Sequence, residues 1–206
     1  MIITYHGEGF IKLQQGNAIV AINPISKAHD SKATRFGADI SLSSLNHEAF
    51  NGHDQVDLAS KTPLTISGPG EYELSDIFIK GFLSKGPAGK INTIYALNME
   101  GFKIVHLGAL ASVEIDSETE EDIAGADILF VPLGGFGSLD PKASAKLATA
   151  LGSKLIIPIL DNDKQTGLPA FLKDAGGESV KPVEKLALKK KDIEASEGVV
   201  TILKKV

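Results

Sequence analysis

The side chains best suited to chemistry fall in one stretch, ADISLSSLNHEAFNGHD (residues 38–54), where a short apolar run empties into a polar loop carrying His47 and His53. Imidazole nitrogens and carboxylate oxygens gathered after a strand are what a metallohydrolase uses, because they hold a divalent ion while leaving one position open for water. Between the two histidines stand Glu48, Ala49, Phe50, Asn51 and Gly52, so the loop by itself supplies no dense ligand cluster. A metal here would need a carboxylate such as Glu48, Asp54 or Asp57 to fold back, and a pair of loop histidines is more often solvated than metallated. His6 and His106 lie in or beside apolar runs and read as hydrogen-bonded structural imidazoles. His29 reads as surface. The chain has no cysteine, which excludes disulfides, thiolate nucleophiles and sulfur-ligated zinc. Gly134-Gly135-Phe136-Gly137 follows an apolar run without the Gly-Lys-Ser/Thr of a phosphate-cradling loop, so it reads as turn chemistry. No Gly-x-Ser-x-Gly elbow exposes a serine nucleophile.

The elements that must position these residues change character half-way along. Residues 2–5, 10–13, 18–22, 40–42, 64–66, 77–79, 93–97 and 102–107 read as short strands separated by turns, with Gly16-Asn17 suggesting a hairpin. Beyond them strand and helix alternate: strands at 128–132 and 154–159, helices at 141–151 and 169–175. Asp140 suits the N-cap of the first helix and Pro141 its first turn, and Gly152 ends it. Two more strands are expected near 186–188 and 199–203. A β-rich first half followed by an α/β half, without a Pro- or Ser-rich linker, predicts one domain over residues 1–206.

Composition restricts the setting. A chain of 206 residues buries roughly 70% of its unfolded surface and needs no covalent staple. The net charge of −5 gives no attraction for phosphate backbones, so no nucleic-acid partner is expected. The opening MIITYHGEGF lacks the pattern of a secretory signal, and no apolar window reaches the roughly 18 residues of a membrane span. The expected setting is cytoplasmic, without a membrane partner. The acidic run EIDSETEED (residues 114–122) reads as a solvated turn and helix start.

Several segments, taken in order, resemble the metallo-β-lactamase superfamily, in particular the small metal-dependent hydrolases that include the ascorbate-phosphate lactonases. ITYHGEGFIKLQ is similar to the family's opening strand pair and AIVAINP to the next strand, with Asn23 where the family has the aspartate of Asp-Pro. GPGEYEL, GKINTIYAL, FKIVHLG and DILFVPLGG continue the match. The resemblance implies an α/β fold, a four-layer αββα sandwich with a metal site at one edge of the two sheets. It also implies where ligands should stand. The family's Ser/Thr-His-x-His-x-Asp-His loop corresponds to residues 44–50, so only His47 is retained, with Leu45, Ala49 and Phe50 at the other ligand positions. HLGAL puts Ala109 at the bridging aspartate, and IPIL puts Leu160 at a further histidine. Residues 81–92 contain no histidine where another is expected.

With Leu45, Ala49, Phe50, Ala109 and Leu160 apolar, the resemblance implies that the metal cleft has become packed core or a small greasy pocket. The function expected from this is a catalytically inactive member acting through binding or assembly, without a cofactor, as a candidate homo-oligomer of unknown partner. Two alternatives remain open. One is a zinc- or manganese-dependent hydrolase of small phosphorylated or lactone-like substrates, using a relocated site built from His47, His53, Glu8 or nearby acids. The other is a small-ligand carrier using the apolar cleft.

Overall fold

The first two strands, β1 (Ile2–Tyr5) and β2 (Ile11–Gln15), pair antiparallel across a turn in which Gly7 and Glu8 both take positive φ, 100° and 52°. The computed structural model describes residues 1–58, 61–159, 166–177 and 180–206. Gly16, at φ 57°, turns β2 into β3 (Ala18–Ile22), as the Gly-Asn signal predicts. β4 (Ile40–Leu42) and β5 (Leu64–Ile66) then add in parallel.

The chain next builds a second sheet from β6 (Gly70–Leu74), β7 (Ile77–Lys85), β8 (Ile91–Met99) and β9 (Phe102–His106), each antiparallel to the one before. After α1 (Ser117–Ile123) come β10 (Ile128–Pro132), α2 (Pro141–Ala150), β11 (Leu155–Ile159) and α3 (Leu168–Ala175). β12 (Lys185–Ala187) returns to the edge of the first sheet beside β1, and β13 (Val199–Val200) joins β11. The sheets run β12-β1-β2-β3-β4-β5 and β13-β11-β10-β9-β8-β7-β6. No helix among the described residues is long and apolar enough to cross a membrane.

The expected elements are present with shifted ends. β7 and β8 extend to nine residues each because they pair along their whole length, Phe78 opposite Asn98 through to Lys85 opposite Ile91. β6 was not anticipated. Its Glu71 and Glu73 alternate with Tyr72 and Leu74, which pack against the core from a sheet edge. The last strand is shorter than expected, ending at Val200.

Alternation explains the layers. Ile3, Leu13, Val20, Ile22, Ile40 and Leu42 from the first sheet meet Ile79, Tyr95, Leu97, Ile104, Phe130 and Ile157 from the second in the central core. β10 and β11 are buried at every position, as a parallel strand covered on both faces must be. Their other face carries Leu129, Val131 and Ile156 against Ala145, Ala148 and Phe171 of α2 and α3. Asp140 caps α2 by accepting from the Lys142 and Ala143 amides, both at 3.0 Å, a contribution of about 1 kcal/mol. Over the first sheet, Phe10, Ala21, Ile25, Ala38 and Val56 form a smaller cluster beneath loop segments.

Candidate functional site

At one end of the sandwich the turn between β1 and β2 meets the loops after β4, β9 and β10. The last two leave the carboxyl ends of parallel strands, where α/β sheets place their ligand crevices. A small cleft of about 20 Å³ opens there, lined by Glu8, Phe50, Ala109, Leu133, Phe136 and Ile159 among others.

The loops are held by buried amides. The Asn92 side chain donates to Leu107 O at 3.0 Å and Ser84 Oγ at 2.8 Å, and its Oδ1 accepts from the Ala109 amide at 2.8 Å. Gly108 takes φ 64°, and a Cβ there would lie 2.4 Å from Asn92 Oδ1. Asn23 is left-handed at φ 54°, a conformation asparagine tolerates, and its Oδ1 accepts from the Ser44 amide at 2.8 Å. The residue standing at the family's aspartate position therefore fixes the start of the loop that carries His47.

Four of the six positions singled out from the sequence come together. Leu45, Ala49, Phe50 and Ala109 form one buried apolar cluster, none more than 4% exposed. His47 stands at its edge with its ring edge-on to Phe50 and Phe136, centroids 6.3 and 5.1 Å apart. Leu160 lies outside the described residues. His47 Nδ1 accepts from the Ala49 amide at 3.1 Å, which leaves its ring proton on Nε2. Burial, then the Lys90 charge, lowers its pKa, so the ring is a neutral donor at neutral pH.

The expected partnership of His47 with His53 does not form. His53 is held elsewhere, its Nδ1 2.7 Å from Ser41 Oγ and its Nε2 3.1 Å from Ser67 Oγ. His29, expected at the surface, reaches the rim instead, 6.2 Å from the Phe136 ring and 6.4 Å from His47. Glu8 lines the cleft itself, buried, with Oε1 accepting from Ser31 Oγ at 2.9 Å. Ser31 and Phe136 were missed because their roles depend on contacts between distant segments. Phe136 had a partial signal in the sequence, a lone aromatic set between glycines in Gly134-Gly135-Phe136-Gly137.

His6 and His106 are structural, as expected. His106 is fully buried, accepting at Nδ1 from the Gly108 amide at 3.0 Å and facing Gly9 O through Nε2 at 3.3 Å. His6 packs on Phe10 and Phe36. Burial holds both pKa values down at about 4, helped at His6 by Lys12. The unfolded chain therefore takes up these protons first as pH falls below about 6.5. Between there and pH 4 the His106 contribution of about 3 kcal/mol is lost. Urea unfolding across pH 7 to 4 should show this decline, and a flat profile would contradict the buried neutral assignment.

A family model described as the beta-lactamase superfamily domain matches residues 2–160. The chain belongs to the beta-lactamase superfamily. A Geobacillus thermodenitrificans protein named UPF0173 metal-dependent hydrolase is 24% identical over 77% of this chain and 84% of its own. A relative of the same description from a Geobacillus strain, also 24% identical, is covered completely and covers 91% of this chain. A Thermotoga maritima structure, provisionally described as a Zn-dependent hydrolase of the metallo-beta-lactamase superfamily, superposes with a TM-score of 0.79 at 27% identity, covering 98% of each chain.

These relatives correct two expectations for this beta-lactamase superfamily member. The sequence reading as a catalytically inactive scaffold is overturned, because proteins matched over most of the chain are named hydrolases. The expectation of no cofactor is overturned by the same names, which carry metal dependence. Metal dependence is the relatives' property. Among the described residues, no group of three or more His, Asp or Glu side chains is placed to hold an ion, and the rim where the family's ligands would stand presents Leu45, Ala49, Phe50 and Ala109. The described residues do not fit a metal there.

Proposed function

We propose that the protein is a hydrolase of small, uncharged lactone-like molecules, working in the cleft between Glu8, Phe50 and Phe136. The observation that carries this reading is the lining. Among the described residues the walls are mostly apolar, with Ser138 and the carboxylate of Glu8 as the polar members. A phosphorylated substrate would have to give up the hydration of its charged phosphate to enter a mostly apolar lining, an unfavourable transfer. A neutral cyclic ester meets no such cost, so of the two substrate classes compatible with a relocated site the lactone is favoured.

The chain's own groups suit hydrolysis. Glu8, steadied by Ser31, is a proton acceptor for an attacking water. His47, which stands beside the cleft with its ring edge-on to the lining residues Phe50 and Phe136, carries its proton on Nε2 and is a donor for oxygen on which charge develops. Phe50 and Phe136, with centroids 5.4 Å apart, wall the cleft against water. The relatives' names bring a metal into this reading, whereas the described rim offers it no donor set, so the residue assignments rest on Glu8 and His47.

The test is turnover of a panel of γ- and δ-lactones, simple esters and phosphomonoesters. The protein is first stripped with chelator and then supplied with zinc, manganese or iron singly. Lactone hydrolysis should exceed phosphomonoester hydrolysis in at least one condition. Absence of lactone turnover in every condition, or faster cleavage of phosphomonoesters, would overturn the reading.

A further inference from the structure

On the other side of the Leu45 loop a second cleft, of about 500 Å³, is lined by Ser44, His53, Ser67, Gly68, Ile91 and Thr93 among others. We propose that Ser67 is a nucleophilic serine activated by His53, in a site separate from the Glu8 cleft and able to take acyl groups from activated esters.

The geometry is a continuous hydrogen-bonded chain. Ser67 is exposed, in the turn after β5, and its Oγ lies 3.1 Å from His53 Nε2. His53 Nδ1 lies 2.7 Å from Ser41 Oγ, which is wholly buried on β4. A nucleophile in reach of an imidazole whose far nitrogen is fixed by a third group is the arrangement by which serine hydroxyls are activated on unrelated folds. In the tautomer that donates from Nδ1–H to Ser41 Oγ, Nε2 carries the lone pair that faces Ser67, which is the form the proposal requires. Burial of His53 lowers its pKa, outweighing Asp54, and keeps the ring in the neutral form a base requires.

The step balances without a further reactant. Ser67 Oγ bonds to the carbonyl carbon of the ester while its proton passes to His53 Nε2. The ester C–O bond breaks, and the leaving alcohol takes that proton. Water then enters with His53 again as base, releasing the acid and restoring Ser67. The site does not depend on the reading of the Glu8 cleft.

The experiment uses p-nitrophenyl acetate on the intact chain, with p-nitrophenol release followed by absorbance and the acetylated peptide located by mass spectrometry. Acetylation should fall on Ser67 and vanish in Ser67→Ala, whose exposed side chain can be shortened without disturbing the core. His53→Gln should slow acetylation by about 10²- to 10⁴-fold. Equal labelling of wild type and Ser67→Ala, acetyl found on lysines alone, or an unchanged rate in His53→Gln would each overturn the assignment. Lactone turnover in the Glu8 cleft should persist in Ser67→Ala, so failure of either site is read separately from failure of the other.

Discussion

Glu8→Gln should lower kcat/KM for the best lactone by about 10²- to 10⁴-fold, the range general-base catalysis contributes. The substitution is nearly isosteric and retains an oxygen able to accept from Ser31, so the turn between β1 and β2 keeps that tie. What disappears is the ability to take a proton from water. His47→Ala should cost about 10²- to 10³-fold, the scale for losing one donor to a developing oxyanion. His47 is half-exposed at the rim, so its loss should leave the melting temperature close to wild type. The two variants together should lose less than the product of the single effects, since groups acting on one transition state are not additive. Unaltered lactone turnover in Glu8→Gln would remove the carboxylate from the mechanism.

The largest single loss of stability should come from Asp127→Ala, at the opposite end of the second sheet. Asp127 is nearly inaccessible, with a side-chain exposure of 5%. Its Oδ1 accepts from Lys154 Nζ at 2.9 Å and its Oδ2 from the Lys103 amide at 2.8 Å, and Lys190 Nζ closes tightly on Oδ2. One carboxylate thus ties the start of β9 to the start of β11 and to the segment after β12. Burial pushes its pKa up, but hydrogen bonds from Lys190, Lys103 and Lys154 prevail and hold it below the usual carboxylate range. Removing one member of such a buried group costs about 3 to 5 kcal/mol. Lys154 and Lys190 are partly exposed and regain water, which places the expectation near the lower end. Asp127→Asn keeps the shape and should lose less. Urea melts at pH 7 should show the midpoint falling with an unchanged slope. Less than about 0.5 kcal/mol, the usual effect of a surface substitution, would show that the lysines merely decorate the surface.

How much of this was legible depends on the range of the interactions involved. Strands such as β3 and helices such as α2 announce themselves through alternation, Gly16-Asn17 and the Asp140-Pro141 start, all of which act between neighbours. Even the rim was partly readable, because Leu45, Ala49, Phe50 and Ala109 could be named from the family's ligand order and do share one cluster. The working groups were less accessible. Ser31 meets Glu8 from 23 positions away and Ser67 meets His53 from 14. Neither contact has a local signal. His47 and His53 sit six residues apart in the chain, yet the turn closed by Asn51 and Gly52 directs His47 to the Phe50 and Phe136 rings and His53 to the second cleft. A Cβ at Gly52 would lie 2.3 Å from the Ile25 carbonyl carbon, so that turn depends on a close approach between segments that composition does not disclose. The inference of lost activity had the same origin. Apolar replacements at ligand positions describe one place on the rim and say nothing of the carboxylate and imidazoles folded in around it.

The most direct measurement is a crystal of the protein soaked with δ-valerolactam, an uncleaved analogue of a six-membered lactone. The ring should lie in the cleft against Phe50 and Phe136, with its carbonyl oxygen within hydrogen-bond reach of the His47 imidazole and its carbonyl carbon open to a water held by Glu8. Lactam bound only outside this cleft, or no binding at concentrations that inhibit lactone turnover, would contradict the placement of hydrolysis at this rim.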